Sequence, residues 1–240
     1  MNTFYTIGVI FFIILIGYGL FSYFRIQGLI AQSSLLVTHA QPFERTVSDA
    51  AAKALFIGDS TGVGVGATEP EESLAGLFAH DHPDWTVSNA SVSGRKTAEL
   101  IAPLQNLSKD SYELVVVQIG GNDITRFTPL DSLEKDIQMV IKEANRVASG
   151  QVILLTTGNV GNAPLLPRPL AFLWHWRTLA VRDIFLKAAT ETNISYVDLY
   201  QEPSIDPFAL DPYRYHAADL FHPSTAGYAL WYEDFKKALR

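Results

Sequence analysis

The sequence predicts an α/β fold built on a parallel sheet and preceded by one membrane-spanning helix. Three observations carry that reading. Short β-rich runs recur from Lys53 onward, helical patterns lie between and after them, and the first 24 residues hold no charged side chain. Strands that alternate with helices favour a parallel sheet covered on both faces. A chain of 240 residues, 48% hydrophobic and 18% charged, is long enough for one well-buried domain plus an appendage.

The opening segment, "MNTFYTIGVIFFIILIGYGLFSYF", is followed directly by Arg25. About 20 helical residues cross a hydrocarbon core roughly 30 Å thick, so residues 1–24 suffice as a transmembrane anchor. Tyr5, Tyr18, Tyr23 and Phe24 lie toward its ends, where amphipathic rings favour the interface. A cleaved signal peptide is the competitor. It calls for a basic n-region and a small-residue site just behind a shorter apolar core, whereas the best candidate here, Thr38-His39-Ala40, lies well past the run. Retention is therefore the expectation. Arg25 leans toward a cytoplasmic C-terminal side, but one cation leaves the side open.

Residues 25–52 mix polar and apolar side chains and read as a partly helical juxtamembrane connector. The domain proper spans residues 53–240. Its β-rich runs are "ALFIG" at 54, "WTVSNASV" at 85, "YELVVVQIG" at 112, "QVILLTTG" at 151 and "ISYVDLY" at 194. Leu114 to Val117 is continuously apolar, as in a strand buried on both faces. Leu130, Leu133, Ile137, Val140, Ile141, Ala144 and Val147 recur by threes and fours, which predicts one buried helix face. A last amphipathic helix carries Leu230, Trp231, Phe235 and Leu239.

Ligands of such sheets sit beyond the carboxyl ends of the strands, so function is to be sought there. The first strand runs into "GDSTGVGVGA", which admits three readings. Gly58-Asp59-Ser60-Thr61-Gly62 fits the G-x-S-x-G nucleophile turn, Gly62 to Ala67 fits the G-x-G-x-x-G/A dinucleotide fingerprint, and a plain strand-to-helix turn fits both. After the second run come Ser93 and Gly94; after the third, Gly120-Gly121-Asn122-Asp123. Near the C-terminus "DLFHPSTAG" supplies Asp219 and His222, with Pro223 keeping His222 out of the helix that Ser224 or Thr225 caps. A serine hydroxyl needs a base near it and a group that fixes the base's tautomer. Asp219 reaching Nδ1 of His222 would leave Nε2 for Ser60. The amides of Ser60 and Gly94 and the side chain of Asn122 are candidate oxyanion donors, and glycine at 94 permits close approach.

These residues resemble the SGNH hydrolases, also called GDSL esterases and lipases. Gly58-Asp59-Ser60 looks like the first block with its nucleophile and Gly94 like the glycine of the second. Gly120-Gly121-Asn122-Asp123 looks like the third block, and Asp219-Leu220-Phe221-His222-Pro223 like D-x-x-H-P. The resemblance runs from Lys53 to Arg240 and departs at Thr61, where the family name expects leucine. It implies a three-layer α/β/α sandwich on a five-stranded parallel sheet of flavodoxin-like type. It also implies a carboxylic ester hydrolase with Ser60, His222 and Asp219 as catalytic triad and Ser60, Gly94 and Asn122 as oxyanion hole. No cofactor and no metal is called for. The expected partners are a small-molecule or lipid ester, lysophospholipids among them, and the membrane that holds the anchor. Two alternatives stay open: an O-acetyl esterase or acyltransferase acting on cell-envelope glycans, and a non-catalytic binding module.

The remaining features exclude or add little. A net charge of −7 and the lack of a Lys/Arg-rich run speak against nucleic acid as a partner. The absence of cysteine rules out disulfides and thiolate sites. A dinucleotide fold needs an acidic residue closing its second strand, which "WTVSNASV" lacks. "HDHPD", residues 80–84, reads as a solvated turn rather than a metal site, and His175, His216 and Asp59 as structural. The N-x-S sequons at Asn89, Asn106 and Asn193 carry no argument. "GNVGNAPLLPRPLAFLWHWRT", from Gly158, overlooks the same sheet edge. Its Leu165, Leu166, Leu170, Phe172, Leu173, Trp174 and Trp176 suggest either core packing or an apolar wall for an acyl chain, facing the bilayer.

Overall fold

The computed structural model describes residues 3–240, with side chains from residue 7. Met1, Asn2 and the side chain of Tyr5, assigned above to the anchor, lie outside the described residues. Helix α1 spans Thr3–His39, and its stretch Ile7–His39 is long and apolar enough to cross a membrane. The helix does not break at Arg25. It continues to His39, and Pro42 then biases Gln41 away from helical geometry.

Five parallel strands follow, β1 (Ala52–Gly58), β2 (Trp85–Asn89), β3 (Tyr112–Gln118), β4 (Ala148–Leu155) and β5 (Ser195–Val197), with helices α2 (Ser60–Val63), α3 (Leu74–Asp81), α4 (Ile101–Gln105), α5 (Gly121–Thr125), α6 (Leu130–Val147), α7 (Ala171–Thr192), α8 (Pro207–Leu210), α9 (Pro212–Tyr215) and α10 (Thr225–Lys236) between and after them. Their order is β2-β1-β3-β4-β5, so the chain reverses its direction of growth between β1 and β3. Each β-rich run of the sequence forms its strand. The β5 run pairs over only three residues, because beyond Val197 the chain turns away and Asp198 takes a bidentate contact from Arg182 at 2.9 and 2.5 Å.

Alternation along the central strands divides the core into two layers. Leu55, Ile57, Val115 and Val117 point to one side, where Leu133, Ile137, Val140, Ile141, Ala144 and Val147 of α6 (Leu130–Val147) cover them with Val181 and Phe185 of α7 (Ala171–Thr192). Ala54, Phe56, Leu114 and Val116 point to the other, against Leu74 and Phe78 of α3 (Leu74–Asp81) and Tyr228, Trp231 and Phe235 of α10 (Thr225–Lys236). The six α6 residues are fully buried and are six of those the periodicity singles out. At roughly 1.5–3 kcal/mol for each large apolar side chain buried, this face is a major term in the stability of the sandwich.

The connector is pinned as well. Arg45 forms an isolated antiparallel bridge with Val87, and its guanidinium donates to the carbonyls of Ala79, His82 and Trp85 at 2.5–3.1 Å. Phe43 packs onto the second core layer. The open edge of β2 is thereby covered, which removes a template for pairing with another chain.

β1 and β3 approach closely at their carboxyl ends, Gly58 opposite Gln118. A Cβ added to Gly58 would sit 1.9 Å from the Gln118 carbonyl oxygen, a backbone atom that cannot move aside. We therefore expect Gly58→Ala to cost more than the usual ~1–3 kcal/mol of overpacking, read as the urea midpoint of the purified chain; an unchanged midpoint would contradict this packing.

Candidate active site

Ser60 follows β1 by two residues and opens the short helix α2 (Ser60–Val63). Asp59 caps it, its Oδ1 accepting from the backbone N–H of Thr61 at 2.9 Å and from the Thr61 hydroxyl at 2.8 Å. Burial pushes the Asp59 carboxyl up, against the lowering effect of those two bonds. Asp59 is thus a structural acceptor, as its sequence context suggested, and threonine at 61 has a use there that leucine would lack.

The C-terminal turn brings the imidazole over Ser60. Leu220 adopts φ 54°, the left-handed region that branched and bulky residues seldom enter. Its N–H donates to Ala217 O and its carbonyl accepts from Leu165 N, which hold the turn in place. This folds Asp219 back beneath His222. Asp219 Oδ2 lies 2.6 Å from Nδ1, and Oδ1 accepts from the backbone amides of Phe221 and His222, each at 3.0 Å. A carboxylate only accepts, so Nδ1 carries the hydrogen and Nε2 is left as the acceptor for the Ser60 hydroxyl, 2.9 Å away. All three side chains are buried, Asp219 completely. Burial opposes the charge on Asp219, but the bonds from His222 and from the amides of His222 and Phe221 outweigh it and hold the carboxyl below its ordinary range.

Gly94 and Asn122 line the same cavity as Ser60 and His222. Gly94 has φ 85°, in the left-handed region that glycine enters without strain, which is the reason for glycine where the backbone lines the cavity. Asn122 lies in α5 (Gly121–Thr125), after β3. The loops carrying the two residues are tied together by Asp123, whose buried Oδ2 accepts from the N–H and hydroxyl of Thr97 at 2.9 and 2.7 Å. Asn89 ties the serine loop in the same way, donating to Gly62 O at 2.9 Å and accepting from Ser91 N at 3.1 Å.

The cavity measures about 310 Å³, near the lower end for small-molecule sites. Gly158, Asn159, Val160 and Ala163 line it, but none from Leu165 to Trp176 does. Leu166 is instead in the core, Trp174 packs against it, and Leu170, Phe172, Leu173 and Trp176 are exposed. The apolar wall expected of that run is supplied by other residues: Val160, Phe208 and Trp231, and Val37 of α1. Neither Val37 nor Phe208 was singled out from sequence. For Val37 the signal was present, since apolar spacing continues past Arg25.

His216 also lines the cavity. Its Nδ1 donates to Pro212 O at 3.1 Å and its ring meets Phe208 edge-on at a centroid distance of 5.0 Å. His175 is engaged by Asn159 at 3.0 Å. The residues of "HDHPD" diverge: His80 is exposed beside Asp81, while His82 stacks on Phe78 at 4.3 Å.

Fold and site together define a carboxylic ester hydrolase on an α/β/α sandwich. The pattern of the GDSL-like lipase/acylhydrolase family matches residues 56–230, and the chain belongs to that family. Solved structures agree on the fold. An α/β hydrolase from the metagenome of Lake Arreo, Spain, superposes with a TM-score of 0.59 at 20% identity, over 80% of this chain and 96% of that one. The lipase/acylhydrolase of Enterococcus faecalis gives 0.57 at 20%, over 77% and 93%. An acetyl xylan esterase of Geobacillus stearothermophilus gives 0.57 at 21%, over 79% and 94%. Among curated proteins no match was found.

Burial lowers the pKa of His216 from 6.5 to about 4, ahead of the opposing effect of its bond to Pro212 O; Asp219 also raises it, while Arg168 and His222 lower it. The unfolded chain therefore binds this proton near pH 6.5 and the folded chain only near 4, so stability falls as pH drops through that window. At about 1.4 kcal/mol per unit the loss approaches roughly 3 kcal/mol. Urea midpoints at pH 7 and 4.5 should fall further for the natural chain than for His216→Gln, by roughly 2–3 kcal/mol in stability.

Proposed function

We propose that this chain is a membrane-anchored serine ester hydrolase, with residues 1–24 as anchor, 25–52 as connector and 53–240 as catalytic domain. One observation carries the reading: the unbroken series from Ser60 Oγ to His222 Nε2 at 2.9 Å and from His222 Nδ1 to Asp219 Oδ2 at 2.6 Å. Ser60 attacks the carbonyl carbon of a carboxylic ester or thioester while Nε2 takes its proton. The negative charge forming on the carbonyl oxygen is met by the N–H groups of Ser60 and Gly94 and by the side-chain amide of Asn122. Collapse of the tetrahedral intermediate breaks the bond to the alcohol or thiol, which leaves with the proton from Nε2. Water then enters, His222 takes its proton, and attack on the acyl-enzyme frees the acid and restores Ser60. Asp219 keeps the Nδ1–H tautomer and stabilises the imidazolium in both half-reactions.

The cavity admits a second reading of the substrate. At about 310 Å³ it has room for the acetyl group of a decorated sugar, the substrate of an O-acetyl esterase or acyltransferase acting on glycans. Acetylated sugars tested against acyl chains of graded length separate the two.

Ser60→Ala should lower kcat for p-nitrophenyl esters by about 10³-fold or more with the thermal transition retained, and a fluorophosphonate probe should label the natural chain at Ser60 alone. Turnover unaffected by the substitution would remove Ser60 from this role.

A further inference from the structure

Beyond residue 21, helix α1 changes character. Its residues up to Leu20 are exposed throughout the described stretch, but Ser22, Arg25, Ile26, Leu29, Gln32, Ser33, Leu36 and Val37, with Ala40 just past its end, are half-buried. The spacing is three and four residues, one face of an α-helix. That face rests on the catalytic domain. Arg25, the first charged residue of the chain, donates to Pro164 O at 2.8 Å, in the loop after β4. At the far end Leu36, His39 and Ala40 share a cavity with Gly64, Gly66, Ala217 and Ala218, from the loops that carry Ser60 and His222. Between these two points, Ser33 and Val37 face the cavity holding Ser60, Asn122 and His222. They sit four residues apart, one above the other on the same face.

We infer that the helix bearing the membrane span is itself a wall of the active site, and that Ser33 and Val37 limit the acyl or alcohol group the cavity accepts. The inference rests on the hydrolase reading for its chemistry and on the packing of α1 for its geometry. Three consequences follow from it. The helix is part of the working enzyme: removal at Thr38-His39-Ala40, as from a signal peptide, would strip one side from the cavity. Substrate reaches Ser60 past α1 rather than from open solvent on that side. Selectivity is set partly by residues outside the segment that matches the family, which ends its N-terminal reach at residue 56.

The chain has no cysteine, so single thiols report the packing without background. In the full chain in detergent micelles, Val37→Cys should react with a charged methanethiosulfonate at least about tenfold more slowly than Thr38→Cys, its exposed neighbour at the same depth. Kinetics test the wall. Val37→Phe should lower kcat/KM for p-nitrophenyl octanoate about tenfold or more relative to the acetate, and Val37→Ala should shift preference toward the longer chain. Equal thiol rates would overturn the inference. So would an unchanged chain-length profile in both variants when Ser60-dependent turnover is intact. Turnover that survives Ser60→Ala would instead sink the hydrolase reading, leaving the thiol rates to decide the packing of α1.

Discussion

β1 and β3 lie side by side in the middle of the sheet, with Gly58 opposite Gln118 where both strands end. Their contact is so close that no side chain fits at Gly58. Everything at the site follows from this pairing. In sequence order β1 and β3 are separated by β2, which lies on the far side of β1, so the loops leaving their carboxyl ends part in opposite directions and open a crevice between them. Ser60 stands on one lip and Asn122 on the other. The β2 loop with Gly94 is drawn toward the same crevice by the bonds from Thr97 to Asp123. Histidine and acid arrive last, on a turn held by α10 and its cap and by the bond from Leu165 N–H to the Leu220 carbonyl.

Buried carboxylates surround one hydroxyl, and their surroundings divide the labour. Asp59 accepts two bonds from a single residue, Thr61, and burial prevails, so its carboxyl is pushed up. Asp219 accepts from an imidazole and two backbone amides, and those bonds prevail over burial. Negative charge is therefore retained under the ring of His222, where the proposed mechanism calls for an imidazolium to be stabilised, and disfavoured beside Ser60, from which the same mechanism removes a proton. Besides the number and kind of donors, the neighbouring charges differ: the carboxylate of Asp123 adds to the rise at Asp59, while the charge of His222 adds to the fall at Asp219.

The sandwich was legible because each of its elements follows a short-range rule. Short unbroken apolar runs such as "LVVV" and "LFI", and period 3.6 from Leu130 to Val147, identify strands buried on both faces and a helix without knowledge of what lies opposite. The site was legible for a related reason: its residues sit immediately after strands or before a helix, and their turn chemistry is local. What the sequence left hidden depends on contacts across the chain. Phe208 and Trp231 reach the cavity only once α10 has packed on the sheet, and His216 turns out to line it although its bond to Pro212 is ordinary. The composition of Leu165 to Trp176 left core packing and an apolar wall both open. The turn at Pro164 sends the run past the cavity, Leu166 and Trp174 into or against the core and Leu170, Phe172, Leu173 and Trp176 onto the surface, where Trp176 is 73% exposed.

The course of α1 gives that geometry a further meaning. With residues up to 24 in a bilayer, the fifteen residues from Arg25 to His39 extend about 22 Å beyond it as helix, at ~1.5 Å per residue. A flexible linker of the same length would have an r.m.s. reach of about 21 Å, nearly the same. The difference is direction rather than distance. A coil would let the domain tumble and present its cavity anywhere, whereas a continuous helix, bonded at Arg25 and packed down to Ala40, fixes both height and orientation of the cavity mouth. A substrate held at one depth relative to the membrane then meets Ser60 in one orientation, and the entropy of aligning the two is lost once, on folding, instead of at every turnover.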